Sequence, residues 1–186
     1  MKIALDVDSV LADVIVTWLD IYREFSGRSL KKAEVNTWNF WKTLGLTRKQ
    51  FEDIFTEAWV RWERIPPTEN NLAGTVKRLR RLHTVDIVTG RTLNTVPDVK
   101  KWLSWQNIDY EQFVRVPTYT LKSSLEYDIF IDDSPLNIVG AADKNRHSIL
   151  YDQPWNQDME PHPVIYRVKS LVEAADIVEK LTPQKP

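Results

Sequence analysis

Two carboxylates near the amino terminus are the first residues of this sequence that could do chemistry. Asp6 and Asp8 follow the apolar residues 3–5, which have the pattern of a strand covered on both faces in a parallel sheet. If extended geometry continues past that strand, side chains two residues apart lean to the same side. At roughly 5 Å and an effective dielectric of about 20, the two charges repel by about 3 kcal/mol. The pair therefore predicts a cation beside it.

Polar side chains also follow the other predicted central strands. Residues 84–89, 113–116 and 127–131 have strand patterns, and ligands of parallel α/β sheets bind beyond the carboxyl ends of the strands. Each feature alone has a simpler interpretation: a solvated loop, a turn, a surface lysine or a helix cap. Their order along one sheet favours a shared site. Its further members are Thr89, Gly90, Arg91, Lys122, Asp132 and Asp133.

The charges of this predicted site indicate a metal ion. Four carboxylates in one small site give six repulsions of about 2 to 3 kcal/mol, which approach a sum of about 15 kcal/mol. Lys122 alone cannot offset that sum. An all-oxygen ligand set that leaves positions for water and substrate suits Mg²⁺ better than zinc. The histidines are scattered and form no ligand cluster in the sequence: His83, His147 and His162.

The elements that must position these residues alternate between strand and helix. Apolar periodicity predicts further strands at residues 148–151 and 164–168, and Ser170 with Glu173 forms a capping box that opens the last helix. The other predicted helices cover residues 10–25 (stopped by Gly27), 72–82, 95–106 and 135–145. Strands separated by helices predict an α/β fold, an open and mainly parallel Rossmann-like sheet flanked by helices.

Residues 27–68 differ in composition from the rest of the chain and predict a small helical cap inserted after the first strand and helix. Aromatic residues crowd there, and Thr47 with Gln50 has capping-box form ahead of an amphipathic pattern. The predicted domains are an α/β core (1–26 and 69–182), a helical cap (27–68) and a tail (183–186). Of the aromatic side chains, Trp18, Trp38, Phe40 and Trp41 could stack on a substrate ring or could simply form a core.

Composition excludes several classes of function. The 186 residues carry a formal charge of −1, which gives no basic field for long nucleic acid. No stretch reaches the ~20 apolar residues that span a bilayer, and acids interrupt the amino terminus too early for a signal peptide, so a cytoplasmic protein is expected. The absence of cysteine excludes disulfides, thiolate nucleophiles and cysteine-bound zinc. The oligomeric state is left open, with a homodimer as one alternative.

Taken together, these residues resemble the haloacid dehalogenase (HAD) superfamily. Asp6 to Val10 resembles its first motif, Thr89 its second, Lys122 its third, and Asp132 with Asp133 its fourth. Residues 150–156 and the interval from Lys122 to Asp132 are similar to the 5′(3′)-deoxyribonucleotidase branch. Two features depart from that branch: Ser9 stands where glycine is usual, and residues 89–91 are closer to general phosphatases of the superfamily.

The resemblance implies a mechanism that also suits the charges. Asp6 would attack phosphorus, and Asp8 would serve as general acid and then general base. Lys122 would neutralise Asp6 and a phosphoryl oxygen. Mg²⁺ would be held by Asp6, the Asp8 carbonyl, and Asp132 or Asp133. The expected substrate-binding residues are Ser9, Thr89, Gly90, Arg91 and Trp41.

The function expected from the sequence is a Mg²⁺-dependent phosphomonoesterase acting on a small metabolite. A (deoxy)nucleoside 5′-monophosphate is the first candidate substrate. Sugar phosphates, other small phosphoesters and phosphorylated nucleic-acid ends are alternatives, although the near-neutral charge argues against the last. A non-catalytic metal- or phosphate-binding module is an alternative of another class, and the combination of Asp6, Asp8 and Lys122 argues against it, because binding alone needs no nucleophile and acid.

Overall fold

A six-stranded, wholly parallel sheet forms the centre of the molecule, with the strand order β3-β2-β1-β4-β5-β6. The computed structural model describes residues 1–117 and 119–182. The strands are β1 (Lys2–Leu5), β2 (Thr84–Thr89), β3 (Phe113–Arg115), β4 (Ile129–Asp132), β5 (His147–Tyr151) and β6 (Ile165–Val168). All six predicted strands are confirmed, and their bounds differ from the predicted ones by at most two residues.

Seven α-helices accompany the sheet within the described part of the chain. They are α1 (Val14–Ser26), α2 (Phe40–Thr43), α3 (Arg48–Val60), α4 (Leu72–Arg80), α5 (Val96–Trp105), α6 (Pro135–Ala142) and α7 (Leu171–Leu181). The α/β Rossmann-like fold is therefore confirmed. Among the described residues, no helix is both long enough and apolar enough to cross a membrane.

Apolar side chains cover both faces of the sheet. On β1, Ile3 and Leu5 belong to the larger core cluster, whereas Ala4 between them belongs to a second cluster with Phe130 and Leu150. Successive side chains of a strand point to opposite faces, so these two clusters lie on the two sides. Burial on both sides explains why the central strands read as continuous apolar runs rather than as alternating ones.

The first helix begins four residues later than its periodicity predicted. The chain after Asp8 makes a tight turn in which the amides of Leu11 and Ala12 both donate to the carbonyl of Val7, at 2.9 Å. Ser9 has a φ of 61° in this turn. Val10 and Leu11 are fully buried, so their apolar character reflects burial of the turn rather than a helical face.

Two neighbouring chain segments connect the core to residues 27–68. The amide of Asp13 donates to the carbonyl of Pro66 at 2.8 Å, and the amide of Thr68 donates to the carbonyl of Leu11 at 2.8 Å. The Asp13 carboxylate forms a salt bridge with Lys32, also at 2.8 Å. These contacts hold the two ends of the insertion side by side. Its action as a separate cap, with boundaries at 27 and 68, stays a prediction.

The predicted capping boxes have different outcomes. At α3 the Thr47 side chain accepts from the Gln50 amide and Gln50 bonds back to Thr47, as predicted. At α7 the Ser170 side chain accepts from the Glu173 amide, but the Glu173 carboxylate accepts from the amide of Lys169. Glu173 therefore caps one residue earlier than a capping box requires. The predicted tail, 183–186, lies outside the described residues.

Candidate active site

Asp6, Lys122 and Asp132 form a buried charged cluster at the carboxyl ends of β1 and β4. The Lys122 Nζ lies 2.7 Å from Asp6 Oδ1 and 3.1 Å from Asp132 Oδ2. The three side chains are only 2 to 5% exposed. The sequence prediction that separate strand ends bring these residues together is therefore met by the geometry.

Strand register explains why Asp6 and Asp132 meet. Leu5 of β1 pairs with Ile131 of β4 in parallel register, and the amide of Asp6 continues this ladder by donating to the carbonyl of Ile131 at 3.0 Å. Both acids thus leave the sheet at the same level. Lys122 comes from the short 3₁₀ helix Tyr119–Ser124, which precedes β4 and packs against α6.

Neighbouring donors orient the two acids that end β4. The amide of Ser134 donates to Asp132 Oδ1 at 2.8 Å, and the Asn137 side-chain amide donates to Asp132 Oδ2 at 3.1 Å. The indole of Trp155 donates to Asp133 Oδ2 at 2.8 Å. The protein donors of Asp132 therefore engage both of its oxygens, whereas the Trp155 indole engages one oxygen of Asp133.

Burial dominates the electrostatics of this cluster. It raises the pKa of Asp6 to about 8, with a further rise from Asp132 and Asp8 and an opposing effect of Lys122. Burial also raises the pKa of Asp133 well above its usual value. Burial by itself lowers the pKa of Lys122, but attraction to Asp132 and Asp6 outweighs it and the net pKa is raised. The single positive charge of Lys122 therefore does not balance the negative charges of the neighbouring carboxylates.

The site has a donor set that fits a hard divalent cation. Carboxylate oxygens of Asp6, Asp132 and Asp133 lie within 4.8 Å of one another, and oxygen ligands are those that Mg²⁺ prefers. A cation there would also reduce the electrostatic cost that raises the pKa of Asp6 and Asp133. The chemistry and the spacing of this triad agree with the magnesium site expected from the sequence.

Asp8 lies beside this triad but has partners of its own. Its Oδ1 accepts a hydrogen bond from the indole of Trp59 in α3 at 3.0 Å. Its Oδ2 lies 3.2 Å from Nε of Arg91, whose guanidinium also stacks 4.5 Å from the centre of the Phe55 ring. Arg91, expected from the sequence to bind substrate, therefore forms a salt bridge with the candidate acid–base residue.

Of the other predicted phosphate-binding residues, Ser9 and Arg91 line the same cavity as Asp6 and Asp8, and Thr89 and Gly90 directly precede Arg91. Thr89, the last residue of β2, is fully buried, and its hydroxyl accepts from the amide of Arg91 at 3.2 Å. Gly90 links the two. The carbonyl of Ser9 accepts from the side chain of Gln153 at 2.6 Å. These contacts order the loops on both sides of Asp8.

A cavity of about 400 Å³ joins the acidic cluster to the aromatic insertion. Its lining includes the carboxylates of Asp6, Asp8 and Asp133 and the aromatic residues Trp38, Phe40 and Trp41. The ring of Trp18, by contrast, is fully buried and stacks on Tyr22 at 5.4 Å. Trp18 is therefore a core residue, and of the four aromatics weighed for stacking only the other three line the cavity.

Sequence reasoning missed the side chains that hold the site carboxylates. Asn137, which donates to Asp132, is fully buried and no motif singled it out. Gln153, which donates to the Ser9 carbonyl, lies within the motif at residues 150–156 but was given no role of its own. Trp59 lies in the amphipathic pattern that follows Thr47 and Gln50, and Trp155 lies in residues 150–156; the sequence assigned neither of them a role in the site. A buried tryptophan whose indole needs an acceptor could have raised the question, but the sequence does not say which acceptor it meets.

Comparison with known proteins agrees with this geometry. A sequence profile of the family described as 5′ nucleotidase, deoxy (pyrimidine), cytosolic type C protein matches residues 1–183. No curated protein sequence matches the chain.

Three solved structures illustrate the fold. CbbY from Rhodobacter sphaeroides, in complex with phosphate, is 12% identical with a TM-score of 0.64, and the match covers 92% of this chain and 95% of that one. L-2-haloacid dehalogenase from Xanthobacter autotrophicus is 14% identical with a TM-score of 0.62, covering 96% and 98%. YfnB from Bacillus subtilis, bound to magnesium, is 13% identical with a TM-score of 0.60, covering 95% and 97%.

At 12 to 14% identity the three structures show only that the fold is shared. Membership of a family is shown by the sequence profile, which matches residues 1–183. The resemblance of the sequence to the HAD superfamily and to its deoxyribonucleotidase branch is confirmed. The chain belongs to the 5′ nucleotidase, deoxy (pyrimidine), cytosolic type C family, and it is a HAD-superfamily phosphatase, a phosphoric monoester hydrolase.

Proposed function

We propose that this phosphatase is a Mg²⁺-dependent phosphomonoesterase that works through an aspartyl-phosphate intermediate. The proposed substrate is a small phosphate ester of the (deoxy)nucleoside 5′-monophosphate class. The observation that carries the proposal is a cavity of about 400 Å³ lined both by Asp6 and Asp8 and by aromatic side chains of the insertion. Phosphoryl-transfer groups and a surface suited to a ring thus face the same space.

The metal ligands proposed here are the carboxylates of Asp6 and Asp133 and the main-chain carbonyl of Asp8. Asp133 is favoured over Asp132 because, among the described residues, donors act on both oxygens of Asp132 and on Oδ2 of Asp133. When bound, Mg²⁺ would supply charge neutralisation for the approach of an anionic carboxylate to an anionic phosphate.

In the first step a carboxylate oxygen of Asp6 attacks phosphorus. Among the described residues, the Val7 amide and Lys122 both bond Oδ1, each at 2.7 Å, so Oδ2 is the proposed nucleophile. The new bond joins this oxygen to phosphorus while the bond to the alcohol oxygen breaks. Asp8 gives its proton to the departing alcohol oxygen, and Lys122 stabilises the negative charge on Asp6 and the phosphoryl group.

In the second step water hydrolyses the aspartyl phosphate. Asp8, now a carboxylate, takes a proton from the water as its oxygen attacks phosphorus, and the bond to Asp6 breaks. Inorganic phosphate leaves and Asp6 is regenerated. Thr89, Ser9, Gly90 and Arg91 are the residues proposed to bind the phosphate. Backbone amides and the Arg91 guanidinium are suitable donors for phosphoryl oxygens.

The aromatic wall supports a substrate that carries a ring. Trp41 lies 6.1 Å from Phe51 between ring centres and is half-buried, so part of its surface is available to a ligand. Stacking of a base on an aromatic side chain contributes about 1 to 3 kcal/mol. The family description, which names a deoxy and pyrimidine 5′ nucleotidase, supports the same substrate class.

Hydrolysis assays test this proposal directly. We expect para-nitrophenyl phosphate to be hydrolysed with Mg²⁺ but not with a chelator, and deoxynucleoside 5′-monophosphates to give a higher kcat/KM than sugar phosphates. Asp133→Asn should raise the Mg²⁺ concentration needed for half-maximal activity more than Asp132→Asn. Chelator-resistant hydrolysis would contradict the metal requirement, and a preference for sugar phosphates would contradict the substrate class.

A further inference from the structure

The Trp59 indole is placed differently from a tryptophan that only fills a core. The side chain is fully buried in α3, yet its N–H group points to Asp8 Oδ1, 3.0 Å away. The donor and the acceptor are 51 residues apart in sequence. The indole therefore joins a helix of the insertion to the carboxylate proposed as acid and base.

Trp59 also has neighbours in the core and beside Asp8. Its ring packs edge-to-face on Trp102 of α5, with the ring centres 6.4 Å apart and an interplanar angle of 89°. One turn earlier on α3, Phe55 packs on the guanidinium of Arg91, which contacts Asp8 Oδ2. The same helix thus acts on both oxygens of Asp8, directly at Oδ1 and through Arg91 at Oδ2.

We propose that Trp59 is a positioning residue that sets the orientation of the Asp8 carboxyl group for proton transfer to the leaving group. The inference rests on the proposed function of Asp8. With Oδ1 held by the indole, Oδ2 is the oxygen that carries the proton in the first step, when Arg91, which contacts Oδ2 at 3.2 Å without substrate, donates to the phosphate instead. That proton passes to the alcohol oxygen as its bond to phosphorus breaks, and Asp8 is left as a carboxylate that still accepts from Trp59.

This role also explains how the insertion takes part in chemistry. A carboxylate at the end of a loop can rotate about its side-chain bonds, and a fixed donor restricts it to one orientation. Because Trp59 belongs to α3, this restriction exists only when α3 is docked on the core as it is here. Productive protonation of the leaving group would then depend on the position of that helix.

The leaving group provides a readout that a merely structural tryptophan would not change. An alkoxide leaving group needs a proton, whereas the anion of an acidic phenol does not. The ratio kcat/KM reports steps up to the first chemical step, so the later hydrolysis of the aspartyl phosphate does not obscure the comparison. A series from para-nitrophenyl phosphate through phenyl phosphate to simple alkyl phosphates therefore reports general-acid function.

Trp59→Phe and Trp102→Phe form a matched pair. Each variant replaces a fully buried tryptophan of the Trp59–Trp102 ring contact, and each removes one indole N–H donor. The acceptors differ, because the Trp59 indole donates to Asp8, whereas the Trp102 indole donates to the carbonyl of Ile65 at 2.9 Å. We expect Trp59→Phe to lower kcat/KM for alkyl phosphates about 10- to 100-fold more than for para-nitrophenyl phosphate, within the range of general-acid effects. Trp102→Phe should leave that ratio unchanged.

Equal losses on all esters in Trp59→Phe, or the same change of ratio in Trp102→Phe, would overturn the proposal. An Asp8→Ala variant adds a further check, because Trp59→Phe should cost nothing more in that background. If Asp8→Ala and the wild type show the same leaving-group dependence, the role of Asp8 itself fails, which is distinct from failure of Trp59.

A measurement without turnover keeps the inference testable if Trp59→Phe does not fold. We compare the ¹H–¹⁵N NMR spectra of the wild-type protein and of Asp8→Ala, both of which keep Trp59. The indole N–H resonance of Trp59 should differ between the two spectra. The indole resonance of Trp102 should stay in place. An unchanged Trp59 resonance would show that the hydrogen bond is absent in solution and would overturn the proposal.

Discussion

Lys122 Nζ lies 2.7 Å from Asp6 Oδ1, and both side chains are buried. The same ammonium group is 3.1 Å from Asp132 Oδ2, so one lysine serves two carboxylates while Asp133 is close to both of them. A buried charge is tolerated only when it is paired or bound to a metal. The arrangement therefore favours binding of a cation and makes the site sensitive to changes of charge.

Asp6→Asn should abolish turnover and leave the fold intact. The amide cannot form the aspartyl phosphate, and we expect a loss of at least about 1000-fold in kcat, as for the removal of an active-site nucleophile. Because burial penalises the charged form of Asp6, the neutral amide should give the metal-free protein an equal or higher Tm. Phosphate-release assays and thermal denaturation measure the two effects.

Asp20→Asn, at an exposed carboxylate, is the control. Activity of Asp6→Asn within about tenfold of wild type would exclude the nucleophile role.

The stability of the metal-free protein should fall as pH rises. The pKa of Asp6 is 3.8 in its ordinary state and about 8 here, so the folded state binds this proton more tightly than the unfolded chain does. Between these values the folded state holds the extra proton, and the free energy of unfolding decreases with increasing pH. Mg²⁺ should counteract this loss by binding the deprotonated carboxylate. The increase in Tm on adding Mg²⁺ should therefore be larger at about pH 8 than at about pH 6.

Thermal melts of wild type and Asp6→Asn, with Mg²⁺ and with chelator, show how much of this pH dependence requires the Asp6 carboxylate and its influence on Asp133. His83, whose pKa is lowered by burial, contributes with the opposite sign in both proteins. Between about pH 6 and pH 8, the Tm of the metal-free wild type should fall by several degrees more than the Tm of Asp6→Asn, since about 1 kcal/mol shifts the Tm of a domain of this size by about 2 to 4 °C. A pH dependence that is the same in both proteins would contradict the assignment to Asp6.

Trp41→Ala should weaken binding of nucleotides selectively. Loss of a stacking contact of about 1 to 3 kcal/mol would raise KM for nucleoside monophosphates by roughly 5- to 100-fold. KM for para-nitrophenyl phosphate should change much less, because its smaller ring leaves more of the cavity empty. Steady-state kinetics with both substrates measure this difference. Trp105→Ala, at an exposed tryptophan on α5, is the control. Equal changes for both substrates would show that Trp41 only packs.

Gly140→Ala should disturb the segment that carries Lys122. A Cβ atom at Gly140 would lie 2.8 Å from Ser123 Oγ and 3.2 Å from Ser123 Cβ, and Ser123 follows Lys122 directly. Overpacking of this kind costs about 1 to 3 kcal/mol, so Tm should fall by several degrees and kcat should fall with it.

Gly74→Ala in α4 provides the comparison. Its Cβ would meet only the flexible amide end of Asn71 among its nearest neighbours, and alanine is favoured over glycine in a helix by about 0.5 to 1 kcal/mol. Gly74→Ala should therefore leave the protein equally or more stable. A Gly140→Ala protein with wild-type Tm and kcat would contradict the proposed dependence of Lys122 on this close packing.

Local patterns in the sequence were sufficient to predict most elements and the central charges of the site. The strand Thr84–Thr89 has the predicted bounds, because a buried β run followed by Gly90 is recognisable from adjacent residues. The same holds for the capping box of Thr47 and Gln50. Residues 10–13 misled the prediction because burial of a tight turn gives the same apolar pattern as one face of a helix.

The sequence by itself determined which groups could do chemistry: Asp6, Asp8, Lys122, Asp132 and Asp133. Only the tertiary structure decided which partners these groups have. The hydrogen bonds from Trp59 to Asp8 and from Trp155 to Asp133 join residues 51 and 22 positions apart. The physical reason is that periodicity and capping depend on neighbours within a few residues, whereas the direction of a buried indole depends on how helices and loops pack around the sheet.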